Sequence, residues 1–211
     1  ADDSAVSVSV TGCVVEGNGY APNSNANANG IIAQRGAEIT VENSTISNVS
    51  TNQSAPEADA VSVKSEAEAE EGEGDRDNGK MTITDSRILA PVGQAAVAAS
   101  PGGAGDPGFL DASGNWWGST NPAAFEISDA EDIVDYSPFL NSGTDTDMGT
   151  PGFQGDVSVL SVDSGSPQLQ AGTRIEEAVT LGGAAEIILQ STSGQFNVST
   201  DVSVPGDLVV A

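Results

Sequence analysis

The side chains able to do chemistry in this 211-residue chain are 31 carboxylates, six basic groups and one cysteine, with no histidine. Without an imidazole, neither a nucleophilic triad nor a metal site built on histidine can be assembled. Cys13, as the only cysteine, permits no internal disulfide and no cysteine-based zinc site. Hydrolysis of a glycan by carboxylates needs a pair at a set separation, and elimination needs acidic calcium ligands beside a basic Arg or Lys. Arg76 lies in an acidic run and Arg174 in a helical segment. Arg35 and Arg87 stand one repeat apart, but Asp85 near Arg87 is matched by Asn43, and no carboxylate repeats beside both arginines. Asp75, Asp77 and Asn78 offer oxygens to a hydrated cation; their spacing matches no calcium-loop template, and a solvated loop is the simpler reading. The chain therefore reads as a non-enzyme that needs no cofactor. Two kinds of recognition chemistry remain. Trp116 and Trp117, with Asn115, Gly118 and Tyr136, form either a sugar-stacking platform or a large apolar lid. Asn43, Asn48, Asn52 and Asn197 head Asn-x-Ser/Thr sequons, of which Asn48 and Asn52 lie in a polar loop and Asn43 has the alternative role of an inward bend residue.

The elements that must position these groups announce themselves by repetition. VSVTGCVV from Val8, ITVENSTI from Ile39, MTITDSRI from Met81 and FLDASGNW from Phe109 share one shape. Apolar residues alternate (Val8 and Val10, Ile39 and Val41, Met81 and Ile83), a small or turn-forming pair follows, and an apolar residue returns at Val15, Ile46, Ile88 and Trp116. Alternation marks a strand with one buried face, and the Gly-Cys, Asn-Ser, Asp-Ser and Ser-Gly pairs mark a sharp bend into the next strand. Recurrence at 31, 42 and 28 residues predicts stacked coils with loops of unequal length, a β-solenoid pattern. Cys13, in the slot of Ser44 and Ser86, reads as a small bend or ladder residue. Aromatics make up only 4% of the chain, which suits ladders of small β-branched residues better than a globular core.

Charge narrows the partners. A formal net charge of −25 makes the chain self-repelling at low ionic strength, where the Debye length is roughly 10 Å at 0.1 M; in molar salt it falls to about 3 Å. Acidic, lysine-poor and rich in Ala, Gly, Ser, Thr and Val, the chain looks like a protein of an extreme halophile. No basic stripe exists to neutralise phosphates, so nucleic acid is excluded as a partner. No apolar stretch approaches the roughly 20 residues that span a bilayer, and no signal peptide is visible. The abrupt start at Ala1 and stop at Ala211 read as a mature product or an excised piece.

SGNWWGSTNPAAF followed by VDYSPFL resembles the closing segment of right-handed parallel β-helix repeat proteins, a pectate-lyase-like class found on prokaryotic cell surfaces and in secreted haloarchaeal proteins. The resemblance implies an all-β fold, a right-handed parallel β-helix with a short capping helix, and it makes Asn115, Trp116, Trp117, Gly118, Asp135, Tyr136, Ser137 and Pro138 structural cap residues. GTRIEEAVTLGGAAEIILQ is similar to the opening of the same class, with a helix over 174–181 and strands in EIILQ, FNVST and DLVVA. Residues 1–140 then form the body and C-terminal cap of a β-helix, 141–171 a linker with one short strand, and 172–211 the N-terminal cap and first coils of another. An end followed by a beginning leaves two open stack faces. They complete one helix within a chain, or the C-terminal segment of one copy seals the first coil of the next, or the chain is one piece of a tandem array. The expected function is a non-enzymatic extracellular or cell-surface structural module, a filament or pilus-like subunit of a halophile that self-associates head to tail. The alternatives are a carbohydrate-binding adhesin or viral fibre module that meets surface glycans, and, behind them, a polysaccharide lyase.

Overall fold

Short runs in which apolar and polar residues alternate can bury only one face, and the chain meets that constraint by pairing each run with its equivalent one repeat later. The computed structural model describes residues 6–17, 28–34, 36–49, 58–64, 79–91, 95–100, 109–129, 133–182, 186–192, 196 and 207–210. The first pass of the chain lays down β1 (Ser7–Thr11), β2 (Val14–Glu16) and β3 (Ala28–Gln34); the second lays down β4 (Glu38–Glu42), β5 (Thr45–Ser47) and β6 (Ala58–Lys64). The third gives β7 (Lys80–Thr84), β8 (Arg87–Leu89) and β9 (Ala95–Ser100). The fourth gives β10 (Phe109–Asp111) and, after a 3-10 turn at Pro122–Ala124, β11 (Ile127–Asp129). A shorter fifth pass supplies β12 (Val134–Asp135) and β13 (Phe139–Leu140), and the chain ends with β14 (Val159–Asp163), α1 (Arg174–Gly182), β15 (Glu186–Gln190) and β16 (Asp207–Val210). The described chain is thus all-β, mostly strands with one α-helix.

Three sheets advance together from pass to pass, in the orders β1-β4-β7-β10-β12, β2-β5-β8 and β3-β6-β9-β11, every pairing parallel. Register stacks like on like. Val8, Ile39, Met81, Leu110 and Val134 form one apolar column, and Ile31, Val61, Val97 and Ile127 form another. The core lies between the sheets, with Val41, Ile46, Val61, Ile83, Ile88, Val97 and Leu110 fully buried.

The bend after the first strand of each pass explains the repeated phrase. Gly12, Asn43, Asp85 and Gly114 adopt φ of 63°, 50°, 48° and 73°, a left-handed conformation that Gly, Asn and Asp accept most readily. After Asn43, Asp85 and Gly114 the next residue turns inward and reaches across to the pass before it, whereas Cys13, after Gly12, is exposed. Ser44 Oγ accepts from the Cys13 N–H (3.1 Å), Ser86 Oγ from the Ser44 N–H (3.0 Å) and Asn115 Oδ1 from the Ser86 N–H (2.9 Å). These spacings are 31, 42 and 29 residues, so the fourth phrase sits one residue later than its letters suggest. Leu110, not Phe109, faces Met81, the bend is Gly114-Asn115 and not Ser113-Gly114, and Trp117 falls in the column of Ile88 and Ile46. The reason is conformational: only Gly114 can supply the positive φ where the column needs it.

Within the segment read as a linker with one short strand, the stretch from Gly143 packs on the preceding passes. From Gly143 it reaches along the bend column and returns, closed by Thr146 N–H donating to the Gln154 carbonyl at 2.9 Å. Arg87 Nη2 donates to the Gly143 carbonyl (2.6 Å), and the guanidinium lies 4.3 Å over the Phe153 ring, itself 1% exposed. Phe153 N–H donates to the Asn43 carbonyl at 2.9 Å, and a Cβ on Gly152 would collide with that carbonyl and with Gly12. The short strand expected within 141–171 is β14, which pairs antiparallel with β13 and parallel with β15, followed in turn by β16. Between β14 and β15, α1 begins with a capping box: Thr173 Oγ1 accepts from the Glu176 N–H, and Glu176 Oε2 accepts from the Thr173 N–H at 2.7 Å. Its apolar side buries Ile175 and Ala178 against a second core with Leu140, Leu160, Val162 and Ile187. Among the described residues no helix is long and apolar enough to cross a membrane.

Candidate functional site

The residues singled out by type and spacing converge on the fourth and fifth passes, where small ladder residues give way to large ones. Asn115 is fully buried; its amide nitrogen donates to the carbonyls of Ile83 (2.6 Å) and Ala112 (2.7 Å) while its oxygen ends the bend ladder. Trp117 is 4% exposed and stacks on Phe125, with centroids 5.2 Å apart and an interplanar angle of 9°. Phe125 in turn meets Tyr136 and Phe139 edge-on at 5.8 and 4.9 Å. Trp116, one position earlier and therefore on the opposite side of the backbone, is half-buried against Gly143 and the second core. Gly118 takes φ of 81° and turns the chain away beneath Leu89. The two indoles are thus not a shared platform: one faces inward into a ring stack, and the other lies under the returning loop.

The VDYSP phrase builds the polar half of the site. Asp135 is on the outer face of β12, yet fully buried, because the segment after β14 folds over it. It accepts from Ser166 Oγ (2.9 Å) and from the Leu169 N–H (2.9 Å). Tyr136 donates its hydroxyl to Asp163 Oδ2 at 2.6 Å and its N–H to Ser166 Oγ at 3.0 Å. Ser137 Oγ accepts from the Asp163 N–H (3.0 Å), and Ser137-Pro138 is a cis peptide. Asp163 also accepts from the N–H of Thr192 (3.1 Å) and from its hydroxyl (2.7 Å), and Arg174 donates to the Ser166 carbonyl. Glu177 on α1 accepts from Gln168 Nε2 at 2.9 Å. Burial pushes Asp135 up to about 6 against the pull of its Leu169 and Ser166 hydrogen bonds, with Asp111 adding to the rise. Burial likewise pushes Glu177 up to about 7, and the charges of Asp135 and Asp111 act in the same direction. The Tyr136 hydroxyl is raised by burial first and by its bond to Asp163 second.

This arrangement docks segments; its carboxylates are spent on donors from the chain. Among the described residues no group of three His, Cys, Asp or Glu side chains is placed to hold a metal ion. Asn43, read as a sequon or a bend residue, is a bend residue whose amide nitrogen donates to the Phe153 carbonyl at 3.3 Å, so a sugar there would displace the returning loop. Asn48 is exposed and donates to Glu16 Oε1 at 3.0 Å. Asn52, Asn197, Asp75, Asp77, Asn78 and Arg35 lie outside the described residues. Asp163, Ser166, Gln168 and Glu177 were not legible as site residues, because their partners lie about 30 positions away or on another element; only Thr-x-x-Glu at 173–176 was available as a local signal for the helix that brings Glu177 in. No family model matches this chain, and no curated protein or solved structure shows significant similarity to it.

Trp117→Ala removes a buried ring from the closing stack and should cost about 3–5 kcal/mol, read as a lower denaturation midpoint in molar salt. An unchanged midpoint would return the indole to a surface role. Protonation provides a second check. Asp135 and Glu177 hold protons more tightly folded than unfolded, so their contribution favours the folded state near pH 4 and is lost as pH rises through about 6 to 7. Replacing both with Asn and Gln should flatten the pH dependence of the unfolding midpoint across that window.

Proposed function

We propose that the parallel sheets are the faces of a right-handed parallel β-helix, and that the protein is a non-enzymatic structural module of the cell surface or extracellular space, a filament or pilus-like subunit joined head to tail. One observation carries the reading. Three parallel sheets advance together, one strand of each per pass, in the orders β1-β4-β7-β10-β12, β2-β5-β8 and β3-β6-β9-β11. A stack of parallel passes of this kind can be extended by further parallel strands, and a head-to-tail contact between copies that does not close on itself yields a filament.

The net charge of −25 supports a saline setting, since copies of so acidic a chain would repel one another unless salt screened them. Halophilic origin and surface location belong to this reading. A glycan-binding role would have to rest on Trp116, because the Trp117 ring is occupied by Phe125. In about 3 M salt, where the Debye length is below about 3 Å, concentration-dependent sedimentation and negative-stain microscopy should find end-to-end filaments that dissociate on dilution into low salt. Monodisperse monomers at every concentration would overturn the proposal.

A further inference from the structure

The connection from β14 to α1, residues 164–172, is held down by hydrogen bonds rather than by apolar packing. It reads Ser-Gly-Ser-Pro-Gln-Leu-Gln-Ala-Gly, without a charge, and none of its residues joins either apolar core; Leu169 is 37% exposed. Ser166 Oγ donates to Asp135 Oδ1 and the Leu169 N–H to Asp135 Oδ2, each at 2.9 Å, and Gln168 Nε2 donates to Glu177 at the same distance. Gly172, at φ of 106°, turns the chain into the helix cap. A segment tied by polar contacts, with little apolar burial of its own, opens at lower free energy than the strands around it.

What this segment covers is a like-charge pair. The outer column of the first sheet runs Ser9, Thr40, Thr82, Asp111, Asp135 in register. Its exposed members, Ser9 and Thr40, carry hydroxyls; its carboxylates come where the column is covered, with Asp111 half-buried and Asp135 fully buried. Carboxylates directly opposite on neighbouring strands repel when ionised, and taking them out of water adds the cost of burying charge. Glu177 of α1 brings a third carboxyl, bonded by Gln168 and by the Ser113 hydroxyl of the fourth pass and raised by the charges of Asp135 and Asp111. The remaining charged and titratable groups at this junction have other partners: Tyr136 binds Asp163, Arg174 donates to the Ser166 carbonyl, and Glu176 closes the capping box with Thr173.

We infer that residues 164–172 form a proton-controlled strap, closed over Asp111 and Asp135 while the carboxyls of the junction are protonated and opening, with the rest of the molecule folded, as they ionise. The strap's own donors, Ser166 and the Leu169 N–H, favour an ionised Asp135, but burial outweighs them. Asp135 at about 6 and Glu177 at about 7 both lie above the ordinary carboxylate range. Each therefore favours the closed state in acid and gives up that contribution as pH rises through about 6 to 7. Opening returns water to the two aspartates and bares the outer face of the last pass.

Amide exchange at Leu169 reads the strap, because that N–H is bonded to Asp135. In molar salt, corrected for the intrinsic pH dependence of exchange, its protection should fall roughly tenfold or more from about pH 5 to about pH 8. Protection at Ser86, whose N–H lies in the bend column, should stay level over the same range. In the Asp135→Asn, Glu177→Gln protein the fall at Leu169 should vanish. Protection at Leu169 that stays level in the parent, or that falls in step with Ser86, would overturn the strap, and so would a fall that persists undiminished in the double variant. Should the double variant fail to fold, Glu177→Gln alone decides: a smaller fall than in the parent supports the strap, and an equal one overturns it.

Discussion

A single column of hydrogen bonds along the bend holds the successive passes in register. Each inward side chain does two jobs: Ser44 and Ser86 donate their hydroxyls to a carbonyl two residues back (Glu42 at 2.8 Å, Thr84 at 2.9 Å) and accept the N–H of the equivalent residue one pass earlier. The bend needs positive φ, which interrupts the strand ladder and would strand a buried N–H in a region that water does not reach. An acceptor supplied by the next pass removes that cost, and it does so only if the passes are aligned to the residue. The apolar columns, the reach of Trp117 into the Ile88 column and the placing of Gly12 and Asn43 beneath the returning loop all follow from that alignment.

The end of the column is where the chemistry changes. Asn115 replaces serine and bonds in three directions, so the ladder ends on a side chain that ties the fourth pass to the third. Trp117, Phe125 and Phe139 then close the interior with rings, and Asp135, Tyr136 and Ser137 present a polar outer face on which the 163–177 segment is seated. Buried carboxylates cost stability when charged. Their retention here is consistent with a role in fixing how the last pass meets the strands that follow, since hydrogen-bonding geometry is directional in a way that apolar contact is not.

Much of this was legible in the residues. Alternation gave the strands, recurrence gave the parallel stacking, and Ser44 and Ser86 marked the bend. The fourth phrase misled by one position because Phe109 looks like the first apolar residue of its strand; only the left-handed bend at Gly114 reveals the true alignment. The 141–158 segment carries the composition of a tether, and nothing local announces that Phe153 is buried beneath Arg87 and against Asn43. Asp135 stood out within VDYSP, but its acidic junction was hidden, since Asp163 and Glu177 come from two other elements and their proximity to it is a product of the fold.

Native-state hydrogen exchange in molar salt reads the bend column directly. The amides of Ser44 and Ser86 should fall among the slowest in the chain, and Ser86→Ala should speed exchange at Ser44, whose acceptor it removes, far more than at Ile46 in the neighbouring strand. Exchange at Ser44 and Ser86 as fast as at exposed bends, or an effect of Ser86→Ala spread evenly over the passes, would contradict it.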